Sequence, residues 1–222
     1  MRRAAAGLVL VLACGLAGCG AESEPGSAPP AEDWRSQVFD RAYAVFRDDP
    51  VFVAKIAGQP RSAVNRIVAD LARSGLMRLE DESLLRRAEI YSGALEAADL
   101  PICALLARGA TPEEQTNVGV LLAHELKRPE LEEWAEITAL AILAELHQLP
   151  ARRPTAREAQ TALDDAFAPL SPEERERMVV ALGNAFEVSD REICWAGRRL
   201  YRALRELPSE RAAELARVLA LS

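Results

Sequence analysis

The sequence SPEERERMVVALGNAF, residues 171–186, contains the clearest helix signal in the chain. Ser171 is placed as an N-cap, Pro172 takes the first helical position, and Glu174 follows three residues after the cap. Together these residues form a capping box. Residues 111–126, TPEEQTNVGVLLAHEL, repeat the pattern. The equivalent cap, proline and acid there are Thr111, Pro112 and Glu114.

Apolar residues at helical spacing continue along the chain. In SAVNRIVADLARSG, residues 62–75, Val64, Val68 and Leu71 share one face, and Gly75 predicts the end of that helix. The chain is rich in Ala, Leu, Glu and Arg, and it has no sustained period-2 run typical of strands. We therefore predict an all-α fold, a bundle of about ten helices joined by short loops.

The N-terminus has the pattern of an export signal. Arg2 and Arg3 precede an apolar run, residues 4–17, with the proportions of a signal-peptide core. The run ends in Leu16-Ala17-Gly18-Cys19, which resembles the lipobox of bacterial lipoproteins. The resemblance covers four residues and implies cleavage before Cys19, acylation of that cysteine, and anchoring on the periplasmic side of the cell envelope. The alternative is an ordinary secretory signal in which Cys19 is incidental.

The same resemblance divides the chain. Residues 1–18 form the signal peptide, residues 19–31 a Pro-, Gly- and Ser-rich tether, and residues 32–222 the helical domain. The family's inner-membrane retention signal typically has Asp where this chain has Gly20, which implies the outer membrane. Cleavage removes two of 27 basic and none of 34 acidic residues, leaving a net charge of −9. We therefore expect no nucleic-acid binding, and we expect the acyl chains to hold the membrane.

Two segments 91 residues apart share a frame that ends in cysteine. They are EAADLPIC, residues 96–103, and EVSDREIC, residues 187–194. Aligning residues 79–103 with residues 170–194 gives eight identities in 25 positions. This pattern predicts an internal duplication, with halves at about residues 60–110 and 150–200 around a pseudo-two-fold axis. Asp99 and Asp190 would then cap the helices that carry the cysteines.

The cysteines of this frame are predicted to form a disulfide. Cys103 and Cys194 would meet at the pseudo-axis, and an exported protein is expected to be oxidised once Cys19 is acylated. The alternative is a reactive thiol pair at helix N-termini, but no C-x-x-C spacing supports it.

Motifs for common chemistry are absent. His124 and His147 fit neither H-E-x-x-H nor a repeated Glu-x-x-His, so no metal or cofactor is expected. No G-x-S-x-G, S-x-x-K or Walker loop occurs. Paired acids near the pseudo-axis are the one catalytic alternative. These acids are Glu96, Asp99, Glu187 and Asp190.

Two further residue sets have a structural and a functional interpretation. Arg198, Arg202 and Arg205 share one helix face, either as a solvated surface or as a site for a phosphate or an acidic partner. The tryptophans are expected in the core rather than as ligand platforms. They are Trp34, Trp134 and Trp195.

The sequence favours a lipid-anchored envelope protein whose helical domain binds another protein, as an assembly or accessory factor or as an inhibitor of the immunity type. An envelope enzyme that uses carboxylates on cell-wall or lipid substrates is the alternative, and an enzyme is the less favoured interpretation. A spacer within the envelope is a third hypothesis, which the short tether disfavours.

Overall fold

The computed structural model describes residues 34–109 and 115–220, and all regular secondary structure in these two ranges is helical. The predicted all-α fold is confirmed. The helices are α1 (Trp34–Ala44), α2 (Pro50–Ile56), α3 (Arg61–Leu76), α4 (Asp81–Ala97), α5 (Leu100–Arg108), α6 (Gln115–Glu125), α7 (Arg128–Leu146), α8 (Ala156–Phe167), α9 (Pro172–Gly183), α10 (Asp190–Glu206) and α11 (Ser209–Leu219).

Several sequence predictions lie outside these ranges. They concern the signal peptide, Cys19, the tether at residues 19–31, and the capping box at Thr111, Pro112 and Glu114. Within the part of the chain that the structure describes, no helix combines the length and apolarity needed to cross a membrane.

The capping box of α9 is confirmed. The Ser171 hydroxyl accepts a hydrogen bond from the backbone N–H of Glu174 at 3.2 Å, and the Glu174 carboxylate accepts one from the Ser171 N–H at 3.0 Å. Pro172 begins the helix, where its missing N–H costs no hydrogen bond. Thr155 and Glu158 form the same box at the start of α8. Local sequence therefore fixes where these two helices begin.

The buried side chains form three apolar clusters. The first joins α3, α4, α7, α8, α9, α10 and α11; the second joins α1, α4, α5, α6, α7 and α10; the third joins α2, α3 and α7 with Phe46 from the turn after α1. Helix α7 contributes to all three, through Ala141, Leu131 and Ile142 respectively. Helices α3, α4 and α10 each contribute to two, so these four helices connect the three clusters.

Gly75 does not end its helix, and that prediction was wrong. α3 continues to Leu76, and Gly75 is buried where α3 crosses α7. A Cβ atom at this position would overlap the carbonyl oxygen of Ala141. The glycine is required by the close approach of two helices, because any side chain would push them apart.

The internal duplication stays a prediction. The order α3, α4, α5 corresponds to α8, α9, α10, but the two sets pack differently. α3 packs on α7, whereas α8 packs on α11; α4 packs on both α10 and α11, whereas α9 packs mainly on α10. The duplicated halves are not confirmed by the described helices.

A buried arginine joins α11 to the chain on either side of it. Arg217 is 3% exposed and donates two hydrogen bonds to one carboxylate oxygen of Asp81, at 2.5 and 3.1 Å. It also donates to the carbonyls of Leu79 at 3.0 Å and Arg152 at 3.1 Å. These bonds hold the start of α4 and the segment before α8 against α11. The hydrogen bonds from Arg217 lower the pKa of Asp81 below its usual value.

We predict that Arg217→Ala lowers the free energy of unfolding by about 3 kcal/mol, because it removes a buried guanidinium that binds Asp81 and the carbonyls of Leu79 and Arg152. Chemical denaturation measures this change. Arg211→Ala is the matched control on the same helix, because Arg211 is 45% exposed and pairs with Asp165 and Glu214 at the surface. It is expected to change stability little.

Acid provides a second measurement of the same contact. Because the folded pKa of Asp81 is depressed, its stabilising contribution is present above the unfolded value, about 3.9, and is lost as pH falls through the lower folded value. Below a pH of about 4, the free energy of unfolding of the wild type should therefore fall more steeply than that of Arg217→Ala. Parallel pH profiles for the two proteins would contradict this role.

Candidate functional site on helices α9 and α10

Helices α5 and α10 are joined by the predicted disulfide. Cys103 and Cys194 are bonded, both buried, with their Cα atoms 5.3 Å apart. The helices also cross closely, since a Cβ atom on Gly197 would lie 2.6 Å from the Cβ of Ala107. The disulfide confirms the sequence prediction and agrees with an oxidising compartment.

Two arginines reinforce this crossing reciprocally. Arg198 on α10 donates to the carbonyls of Leu95 and Ala98, both at 2.8 Å, where the chain leaves α4. Arg108 on α5 donates to the carbonyls of Ala185 at 3.0 Å and Val188 at 3.2 Å, where the chain approaches α10. Each helix therefore fixes the segment that leads into the other.

One of the two predicted N-caps is correct. Asp99 caps α5 by accepting from the Ile102 N–H at 3.1 Å. The cap of α10 is Ser189, whose hydroxyl accepts from the Glu192 N–H at 3.3 Å. The prediction for Asp190 was wrong because Ser189, one residue earlier, already supplies a capping oxygen. Asp190 instead pairs with Arg108 at 2.6 Å.

The four acids proposed as a catalytic alternative are not hydrogen-bonded to one another in the described structure. Glu96 pairs with Arg202 at 2.5 Å, Asp190 pairs with Arg108, and Asp99 is a cap. Glu187 is exposed in the turn before α10. Three of the four thus have structural partners, and the catalytic alternative stays a hypothesis without a paired-carboxylate geometry.

The histidines do not gather metal ligands. His124 is exposed, and His147 is half-exposed with its Nε2 2.9 Å from Asp49, the cap of α2. Across the two described ranges, no group of three or more His, Cys, Asp or Glu side chains is placed to hold a metal ion.

Each tryptophan is partly buried and packs against the core, as predicted, beneath an arginine guanidinium. The distances from guanidinium carbon to ring centroid are 4.3 Å for Arg35 on Trp34, 3.4 Å for Arg87 on Trp134 and 3.9 Å for Arg177 on Trp195. Cation–π contacts of this kind favour charged side chains in positions shielded from water.

The contact at Trp134 belongs to a largely buried aromatic cluster. Tyr91 lies between Trp134 and Tyr201, with centroid distances of 6.0 and 5.0 Å. Burial lowers the pKa of Arg87 to about 10 and raises that of Tyr91 to about 12. At neutral pH Arg87 therefore stays charged and Tyr91 stays neutral. Neither group titrates near pH 7, which agrees with a structural role for the cluster.

A basic depression lies along α10, which we call the arginine groove. Its volume is about 240 Å³. The groove is lined by Leu100, Arg191, Trp195, Arg198, Arg199 and Arg202. The Cys194 end of the disulfide also reaches it. Two of the three arginines predicted to share a face, Arg198 and Arg202, are therefore here.

Arg205, the third of that set, is not part of the arginine groove. It lines a separate depression of about 370 Å³ together with Arg86, Glu89 and Glu130. The sequence analysis missed Arg191, which lies 11 residues before Arg202 and so falls on the same helix face.

Helix α9 leaves an apolar surface uncovered. It buries only Met178 and Ala181, whereas Val179 and Val180 are 56% and 49% exposed, and Phe186 in the following turn is 68% exposed. No atom lies within 4 Å of a Cβ placed on Gly183. We call Val179, Val180, Gly183 and Phe186 the α9 face. The exposed acids Glu173, Glu176 and Glu187 and the exposed Arg175 lie in the same helix and turn.

The sequence contains a signal for the α9 face that helical periodicity alone does not reveal. Residues 178–182 are five consecutive apolar residues, Met-Val-Val-Ala-Leu. They cannot all lie on the buried side of one helix, because successive residues are rotated by about 100°.

Comparison of the chain with protein-family models, with curated proteins and with solved structures gives no match. The contacts of the described residues therefore carry the functional inference.

We predict that the double variant Cys103→Ala/Cys194→Ala has a free energy of unfolding lower by about 4 kcal/mol, because the bridge closes a loop of 91 residues. Denaturation with and without a reductant measures the difference. Reductant should lower wild type toward the double variant and leave the double variant unchanged. Equal stability of wild type and variant without reductant would count against the bridge.

Proposed function

We propose that this protein is a lipid-anchored protein of the cell envelope whose helical domain binds another protein through the α9 face. The exposure of Phe186 carries the proposal. A phenyl ring that is 68% exposed contributes little to the stability of the fold. Phe186 lies in the turn that follows α9, the helix that carries the exposed Val179 and Val180. Exposed apolar patches with polar rims are typical of protein interaction sites.

The turn that displays Phe186 is held from both sides. Arg108 donates to the carbonyls of Ala185 and Val188, the residues that bracket the ring. The Asn184 side chain donates to the Val180 carbonyl at 3.0 Å and ties the turn to α9. Because these contacts already hold the turn in one conformation, less conformational entropy is lost when a partner binds. They therefore favour association although they lie within the protein itself.

The chemistry of the face defines the partner. Full burial of a valine or phenylalanine side chain contributes about 1.5–3 kcal/mol, so the face offers a small apolar centre. Residues 172–187 carry four acids and two arginines, so this segment has a net charge of −2. A protein that presents an apolar patch edged by Lys or Arg is complementary to it, and the net charge of −9 would speed their encounter. An accessory factor and an inhibitor both fit this description.

The lipobox resemblance supplies the location. The Pro-, Gly- and Ser-rich composition of the proposed tether, residues 19–31, predicts a root-mean-square reach of about 20 Å. The helical domain would therefore stay close to the membrane surface, and so would its partner. The disulfide supports the proposal because it agrees with export.

Site-specific photocrosslinking tests the binding surface. Benzoylphenylalanine in place of Phe186, in the full-length protein in its native cells, should give a discrete light-dependent adduct with one envelope protein. Val53 is the matched control, because it is 49% exposed on α2, a helix whose buried Phe52 belongs to a different core cluster. The probe at position 53 should give no such adduct.

Competition separates specific binding from chance contact. Purified wild-type protein should abolish the adduct, whereas Phe186→Asp should not, although its melting temperature should match wild type because the ring is exposed. An identical adduct from both positions, or none from position 186 in correctly located protein, would refute the proposed surface.

Metabolic labelling with an alkyne fatty acid tests the anchor. Wild type should incorporate the label, and Cys19→Ser should lose it and stay uncleaved. Cys14→Ser is the control, because Cys14 lies in the segment removed with the signal peptide and its loss should leave labelling intact. Label retained in Cys19→Ser would show that the lipobox resemblance is misleading.

A further inference from the structure

The arginine groove differs in charge from the rest of this acidic domain. Its four arginines, Arg191, Arg198, Arg199 and Arg202, follow one face of α10. Two of them are paired: Arg202 with Glu96 at 2.5 Å and Arg199 with Glu206 at 3.4 Å.

The other two arginines, Arg198 and Arg191, have no ion-pair partner among the described residues. Arg198 directs its Nε and one Nη to neutral backbone carbonyls, and it makes no ion pair with the described residues. Arg191 is exposed and likewise has no ion-pair partner within the described ranges. The neighbouring acid Glu192 is occupied by Arg177, which binds it through two nitrogens at 2.6 and 3.0 Å. The groove therefore has two arginines that form no salt bridge with the described residues, although Arg191 also interacts with the charge of the adjacent Glu192.

The groove is also rigid. The two carbonyl bonds fix the Arg198 guanidinium, and the disulfide at Cys194 fixes the helix beneath it. Trp195 is held from α9 by the stacked guanidinium of Arg177 at 3.9 Å. Charged groups held in place bind an anion at a smaller entropic cost than mobile surface arginines do.

Apolar surface lies beside these charges. Leu100 is 43% exposed, and the half-buried Trp195 also lines the groove. A ligand that suits the groove therefore has a compact anionic group and a small apolar part, which fit together in about 240 Å³.

We propose that the arginine groove binds a phosphate monoester attached to a small apolar group. A phosphate monoester carries a charge of about −2 at neutral pH, which matches the two arginines that form no salt bridge with the described residues. Planar guanidinium groups bind phosphate and carboxylate oxygens alike in a bidentate manner, so the second negative charge of the monoester is what favours it over a lone carboxylate. This site is separate from the α9 face and does not depend on the protein-binding proposal.

Calorimetric titration of the full-length protein with phenyl phosphate tests the proposal. We expect saturable binding that weakens as salt is raised, and weaker binding of inorganic phosphate, which lacks the ring, and of benzenesulfonate, which carries one charge. Arg191→Ala should weaken phenyl phosphate binding by about tenfold or more. Because Arg191 is exposed and has no ion pair, its replacement should leave the melting temperature unchanged.

Arg205→Ala is the matched control, since Arg205 is an exposed arginine of the same helix outside the groove. It should bind phenyl phosphate like wild type. Equal weakening by both variants, equal affinity for the sulfonate, or absence of saturable binding would each overturn the proposal.

A second titration identifies the source of the phosphate. Dihexanoyl phosphatidic acid presents the same monoester on a lipid while staying soluble. Tighter binding than phenyl phosphate, with the same dependence on Arg191, would assign the groove to a lipid headgroup. Weaker binding would assign it to a small soluble phosphate ester.

Discussion

The crossing of α5 and α10 is the contact on which both candidate binding features depend. The arginine groove runs along α10, and the turn that carries Phe186 directly precedes α10 in the chain. At the crossing the helices approach closely at Gly197 and Ala107, and the buried side chains of Leu106 and Ile193 belong to one apolar cluster. The Cys103–Cys194 bond adds a covalent link to this packing.

Arginine side chains make many of the other contacts that connect distant parts of the chain. The chain has 25 arginines but only two lysines, although its net charge is negative. Arg108, Arg198 and Arg217 each donate to two or more backbone carbonyls near the ends of helices. A planar guanidinium has five N–H donors and can satisfy several acceptors at once, which an ammonium group on a flexible stem does less well. The abundance of arginine therefore reflects internal chain connections as well as surface charge.

The sequence predicted the parts of this fold that depend on neighbouring residues. The capping box at Ser171 and the cap at Asp99 use atoms three positions apart, and both are present. Asp190 was misassigned because the neighbouring Ser189 supplies the cap of α10. Gly75 was misassigned because its role comes from a distant partner, Ala141, which no local pattern identifies. The α9 face was missed for the same reason: whether Val179 is covered depends on which helices surround α9. The disulfide was predictable at long range because few cysteines were available to choose from.

The carbonyl bonds from Arg108 to residues 185 and 188 also have a consequence for timing. Their partners are separated by about 80 positions in the chain, so neither Phe186 nor the arginine groove acquires its final setting until α10 has been synthesised and docked on α5. A nascent or truncated chain that ends before α10 would lack the arginine groove and would not hold Phe186 in its final setting. Under the two proposals, recognition would therefore be confined to the completed chain.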